Sequence, residues 1–229
     1  MRVHGTEHRG ATLTDTASVL ADTSDMAPVH KVFRDSLAMA PELIASAAGN
    51  SERRAMIANY YANLMAFLGV HHDGEEQLVF PLLAERVPEH KSVVERALRQ
   101  HEDVVGLLHV ANDQIAVWEE KGDPEAPGLV RALADLAGTL IPHLDLEEAD
   151  VVPLCATCIT VEEWGALPGH AMARFQGDKV WLIMGLIREN FTQAQRDQML
   201  EHMPPPARQM WETMGERSFD ELIGQVRAG

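Results

Sequence analysis

Aromatic residues make up only 5% of this 229-residue chain, and it has just two cysteines. Two cysteines cannot build the multi-bridge disulfide framework of a small secreted domain. Few tyrosines and phenylalanines, and no alternating apolar–polar runs, argue against strands. No stretch approaches the ~18 uninterrupted apolar residues that a membrane span needs. Basic residues are scarce as well: 19 Lys and Arg against 35 Asp and Glu leave a formal net charge of −16. That excess repels phosphate backbones, and the nearest basic candidate, Glu52-Arg53-Arg54, carries its own carboxylate. Met1 to Asp25 is polar, rich in Thr, Asp and His, and lacks the apolar segment of a signal peptide. These absences point to a soluble cytoplasmic protein that engages neither nucleic acid nor membrane.

What the chain does contain is helix-forming. Hydrophobic residues are 46% of the total, enough for a sizeable core, and Ala, Leu, Glu, Met and Arg dominate. The fold class expected is all-α: an antiparallel up-down four-helix bundle with a C-terminal helical extension. Residues 1–24 read as a disordered lead-in, 25–154 as the bundle, and 155–229 as a helical extension packing on it.

The first helix starts near Asp25, with Pro28 in its first turn and Pro41 ending or kinking it. The second opens at Ser51 and runs to about Val87, bent late by Pro81. The third covers roughly Glu89 to Glu120, stopped by Lys121-Gly122-Asp123-Pro124. The fourth starts near Pro127 or Gly128 and runs to about Asp150. Beyond it, Thr160-Val161-Glu162-Glu163 and Thr192-Gln193-Ala194-Gln195 have capping-box form. Trp164, Trp181 and Trp211 are placed to anchor short helices onto the bundle, and Pro204-Pro205-Pro206 breaks the last stretch. The extension reads as a lid or a homodimer contact.

One spacing recurs. His71-x-x-x-Glu75 in the second helix is echoed by His143-x-x-x-Glu147 in the fourth. Residues i and i+4 share a helix face, so each pair can aim a nitrogen and a carboxylate at one spot. His30 in the first helix and His101 in the third supply single histidines. A bundle core lined this way is a place where helical proteins hold metals, and bridging carboxylates with terminal imidazoles suit iron or manganese. An isolated His-x-x-x-Glu is more often a surface pair; two copies with matching histidines on the other two helices make that reading poor. His72 with Glu76 is also an i,i+4 pair, and Glu148 adjoins Glu147, so the choice within each doublet stays open on spacing alone.

The stretch His71-His72-Asp73-Gly74-Glu75-Glu76-Gln77-Leu78-Val79-Phe80-Pro81 resembles the signature of the hemerythrin-like (HHE) cation-binding domain. Gln100-His101-Glu102, His143-Leu144-Asp145-Leu146-Glu147-Glu148 with Pro153-Leu154, and Val29-His30 with Arg34 are similar to the family's other motifs. The resemblance spans roughly residues 25–155. Aligned on Phe80-Pro81, it implies His71 and Glu75 as ligands, giving the set His30, His71, Glu75, His101, His143 and Glu147. His72, Glu76 and Glu148 would then stand behind the ligands and orient them.

The oxygen-carrying hemerythrins have a second histidine in the third helix, four residues after the first, where this chain has Val105. Their last carboxylate is an Asp one residue beyond the place of Glu147. With one histidine fewer, the second metal would be more open. The resemblance therefore implies the bacterial type: a cofactor of two iron ions, oxo- or hydroxo-bridged, with manganese and zinc as lesser alternatives. The activity implied is reaction with peroxide, dioxygen or nitric oxide, of oxidoreductase type and with no catalytic residue beyond the ligands. The alternative is an oxygen, nitric oxide or iron sensing or storage module without turnover.

Other candidates read more plainly. His109 lies about 12 Å along the helix from His101 at 1.5 Å per residue, too far to share its site. His4, His8, His90, His170 and His202 fall outside the pattern. Tyr60 and Tyr61 read as core. Cys155-Ala156-Thr157-Cys158 has redox or zinc-half-site spacing, with two free thiols as the simpler reading. The 11 methionines read as core filler.

Overall fold

The computed structural model describes residues 19–175 and 178–228. Most of the lead-in segment expected at residues 1–24 lies outside that range. Among the described residues there is no strand, only an isolated bridge between Leu20 and Thr160, and the class is all-α. Helix α1 (Met26–Ala38) is followed after one residue by α2 (Ala40–Ser46). Pro41 sits in the first turn of α2, where its missing N–H disturbs no ladder, so the proline marks a break between two helices.

Gly49, at φ 70°, makes the turn into α3 (Ser51–Gly74), a backbone region that favours glycine. The side chain of Asn50 caps α3 by accepting the Arg53 N–H at 3.0 Å. Helix α3 widens into a π-turn, Glu75–Val79, and continues as α4 (Phe80–Arg86). The long α5 (Lys91–Lys121) ends at Gly122, whose φ of 85° and ψ of −153° stop the helix. Helix α6 (Ala126–Leu146) then repeats the pattern of α3: a π-turn, Glu147–Val151, leads into α7 (Val152–Cys158).

The two π-turns share a sequence feature. Pro81 and Pro153 each stand six positions after the glutamate that opens the turn, and neither can donate to the carbonyl four residues back. The residue before each proline closes an i→i−5 bond, Phe80 N–H to the Glu75 carbonyl and Val152 N–H to the Glu147 carbonyl. The echo in the sequence thus extends to the backbone: each site-bearing glutamate opens a widened turn.

The remainder folds as α8 (Val161–Trp164), α9 (Ala166–Met172), α10 (Asp178–Asn190), α11 (Gln193–His202), α12 (Pro205–Met210), a third π-turn (Trp211–Gly215) and α13 (Glu216–Arg227). Thr160 and Thr192 both form complete capping boxes. This extension shares its interior with the site-bearing helices. Phe175, Trp181, Trp211, Phe219 and Ile223 belong to one buried cluster with Phe33, Tyr60, Phe67 and Leu136. Trp164 donates its indole N–H to Asp25 at 2.9 Å, and Arg53 donates to the carbonyls of Gln225 and Val226 at 3.0 and 3.2 Å. Close packing within the extension depends on two glycines: a Cβ at Gly185 would lie 2.1 Å from the Phe219 ring, and one at Gly215 would lie 2.8 Å from Trp181.

Candidate metal centre

Four helices, α1, α3, α5 and α6, bring their histidines to one buried place. His30, His101 and His143 are essentially inaccessible, as are Glu75 and Glu147. Two groups of donor atoms result. One is His30, His71, Glu75 and Glu147; the other is His72, His101 and His143; within each group the donor atoms all lie within 4.8 Å of one another.

The carboxylates connect the groups. Glu147 places Oε1 3.3 Å from His143 Nε2 and 3.4 Å from His101 Nε2, while its Oε2 lies 3.5 Å from His30 Nε2. Glu75 turns Oε1 to His71 Nε2 and Oε2 to His101 Nε2, each at 3.6 Å. Each glutamate therefore presents one oxygen to each group, the disposition of a bridging carboxylate. Donors held roughly 2.1 Å from a shared ion lie about 3–3.5 Å from one another; the Glu147 separations fall in that range and those of Glu75 lie just beyond it.

The surroundings leave these atoms no other partner. Nε2 of His30, His71, His101 and His143, both ring nitrogens of His72, Oε2 of Glu75 and both oxygens of Glu147 are buried without a hydrogen bond. A cluster of orphaned buried polar atoms converging on one spot is a large desolvation cost unless a cation satisfies it. Histidine and carboxylate donors with no thiolate suit a first-row divalent metal of intermediate hardness. The residues fit a dinuclear centre.

Behind the ring nitrogens stands a row of acceptors. Glu148 accepts from His30 Nδ1 at 2.9 Å, Glu76 accepts from His101 Nδ1 at 2.8 Å, and Gln100 Oε1 accepts from His143 Nδ1 at 3.3 Å. A carboxylate can only accept, so Nδ1 carries the proton and the Nε2 lone pair faces inward. Arg34 holds Glu148 in place at 3.0 Å and reaches Asp145 at 2.9 Å. The hydrogen bond from His30, aided by Arg34, keeps the Glu148 carboxyl below its usual range.

Burial governs the titration of the inner groups. Desolvation, reinforced by neighbouring imidazoles, holds His71 and His72 well below the usual histidine value. Desolvation likewise lowers His143 to about 4 despite the opposing pull of Glu147. Glu75 moves the other way, well above the ordinary carboxylate value, because it is desolvated and faces Glu147. His71, His72 and His143 are thus neutral and ready to donate at neutral pH, the form a metal requires.

His72 also faces the cluster. The sequence places it behind the ligands; the structure turns its ring inward, stacked on His101 with ring centroids 4.0 Å apart. The reason is azimuthal. Consecutive helix residues diverge by about 100°, and α3 runs along the boundary between the two donor groups. His71 therefore faces one group and His72 the other, with Glu75 between them. Val105, one helical turn after His101, is 40% exposed on the outer face of α5. Five histidines thus converge on the cluster. His109 is exposed on α5, away from the cluster.

The family assignment follows from the same residues. A hemerythrin HHE cation-binding domain matches residues 22–155, more than half the chain. The chain belongs to the hemerythrin HHE family. Domains of this family bind metal cations, and in this hemerythrin-family chain the buried His/Glu cluster could hold them. No curated protein and no solved structure matches the chain. No described helix is long and apolar enough to cross a membrane.

Proposed function

We propose that this hemerythrin-family chain is a non-haem diiron protein that reacts with small oxidants: peroxide, dioxygen or nitric oxide. The observation that carries the reading is the convergence of orphaned Nε2 and carboxylate oxygens in two groups joined by Glu75 and Glu147. In this reading α1, α3, α5 and α6 form an antiparallel up-down bundle around the site. His72, His101 and His143 would hold one iron and His30 and His71 the other, with Glu75 and Glu147 shared between them.

A carboxylate-bridged pair of irons, when bound, supplies reversible binding and stepwise reduction of small oxidants. The protein's part is positional. Glu76, Gln100 and Glu148 fix the histidine tautomers, and Phe33, Phe67 and Phe80 pack their rings near His71 and His101, limiting water. A metal held by His30 and His71 would have fewer imidazole donors than one held by His72, His101 and His143, and could take an exogenous ligand.

Iron analysis of protein purified from iron-supplied cells, followed by anaerobic mixing of the ferrous form with hydrogen peroxide or nitric oxide, tests this. Two irons per chain and a change in the visible spectrum are expected. Two irons with no spectral response to either reagent would overturn the reactivity, and no iron would overturn the whole reading.

A second reading is favoured by the shared core. Helix α10 packs on α1 and α3, two ligand-bearing helices, so site occupancy can be passed to the extension as in a sensor. Sustained peroxide consumption distinguishes an enzyme from stoichiometric, reversible binding.

A further inference from the structure

We propose that Cys155 and Cys158 form a reversible intrahelical disulfide, a two-electron redox site beside the metal centre and separate from it. Both thiols are free, and both lie on α7, three residues apart. Neither belongs to a group of potential metal ligands among the described residues, which argues against a zinc half-site.

Their placements differ in a way that suits such a pair. Cys155 is buried in one apolar cluster with Val79, Phe80, Leu146 and Val151, residues in or beside the two π-turns. Cys158 is half-buried at the end of the helix, its thiol donating to the Leu154 carbonyl at 3.4 Å. One sulfur is reachable from outside while the other is shielded.

The backbone permits closure. Residues three apart on a helix have Cβ atoms about 5–6 Å apart, against about 3.5–4.5 Å in a disulfide. A shift of roughly 1–2 Å is therefore needed. Cys158 is the last residue of α7, and Ile159 is already extended at φ −97°, ψ 136°. The movement is taken up at a helix end and leaves the interior ladder intact. Burial raises both thiols above their ordinary value, opposed at Cys158 by the Thr157 side chain and the Arg86 guanidinium. The pair rests as two thiols until an oxidant arrives.

The oxidant is a hydroperoxide. The Cys158 sulfur attacks its O–O bond; an S–O bond forms, the O–O bond breaks, and the alkoxide or hydroxide leaves with the Cys158 proton. The Cys155 sulfur then attacks the sulfenic sulfur; the S–S bond forms, the S–O bond breaks, and hydroxide leaves with the Cys155 proton as water. Two electrons pass from sulfur to oxygen. An external thiol reverses the change by exchange at the accessible Cys158.

The test uses the full chain, both metal-loaded and chelator-stripped. Each is treated with increments of hydrogen peroxide, then denatured, alkylated with a maleimide and weighed intact. Both alkylatable thiols should disappear together within single chains and return on reduction, in the stripped chain as in the loaded one. Success in the stripped chain makes the result independent of the diiron reading. Cys155→Ser should instead leave Cys158 as a sulfenic or higher acid, and Cys158→Ser should leave Cys155 alkylatable. The proposal is overturned if wild-type chain keeps both thiols, loses them singly to sulfinic acids, or bridges only between chains. The wild-type measurement decides the matter even where a variant fails to fold.

Discussion

Replacing His72 with leucine should stabilise the metal-free protein and shrink the further stabilisation that metal provides. In the metal-free state His72 is buried, and neither of its ring nitrogens has a partner. An unsatisfied buried polar group costs about 1–3 kcal/mol. Leucine fills a similar volume without that cost, so His72→Leu should stabilise the chelator-treated protein by about 1–3 kcal/mol. For a chain of this length each kcal/mol corresponds to roughly 2–4 °C in Tm, giving a rise of several degrees.

With metal an opposing effect enters, because His72 would supply a donor to the group it forms with His101 and His143. Loss of residues that merely orient ligands lowers metal affinity about 10–100-fold, so loss of a direct donor should lower it at least as much. At fixed metal, a 100-fold weakening removes about 2.7 kcal/mol of ligand-linked stability. Calorimetry with and without metal, alongside metal content per chain, reads both effects. A variant with a lower metal-free Tm, an undiminished metal-induced rise and full metal content would refute the assignment and make His72 a structural residue.

Further outcomes follow from the same geometry. Glu148→Gln weakens the acceptor behind His30 and the pair with Arg34; metal affinity measured by competition with a chelator should fall about 10-fold or more, with the fold intact by circular dichroism. Gly185→Ala places a Cβ 2.1 Å from the Phe219 ring and should destabilise the protein by about 1–3 kcal/mol in a denaturant titration, without changing metal stoichiometry. The metal-free protein should also be acid-sensitive. His143 titrates at about 4 in the fold against 6.5 as its ordinary value, so its stability contribution is complete above pH 6.5 and lost as pH falls through about 4. That contribution is on the order of 3 kcal/mol. Glu75, raised in the fold, acts oppositely, its contribution present at low pH and lost as pH rises through its native value. Urea midpoints of chelator-treated protein at pH 7 and pH 4.5 measure the balance; with His71 and His72 shifted in the same sense as His143, stability should be lower at pH 4.5. A flat profile would show that the histidines are not held neutral.

The sequence by itself determined whatever depends on periodicity along one helix. The spacing His71–Glu75 and His143–Glu147 places each pair on one helix face whatever the tertiary packing, because 3.6 residues per turn is a local property. The helix stops at Gly122 and Pro41 and the caps at Thr160 and Thr192 were legible for the same reason: they are satisfied by neighbours within a few residues. Tertiary structure decided what depends on how helices are turned toward each other. His71 and His72 are equivalent as spacing, and only the position of α3 between two donor groups sends both inward. Val105 repeats the i+4 step from His101, yet the rotation of α5 leaves it exposed. The partners of the outer nitrogens are contacts between helices: Glu76 with His101, Gln100 with His143, Glu148 with His30. The extension, which reads as an appendage, closes the same core as α1 and α3 because Phe175, Trp181 and Trp211 have nowhere else to be buried.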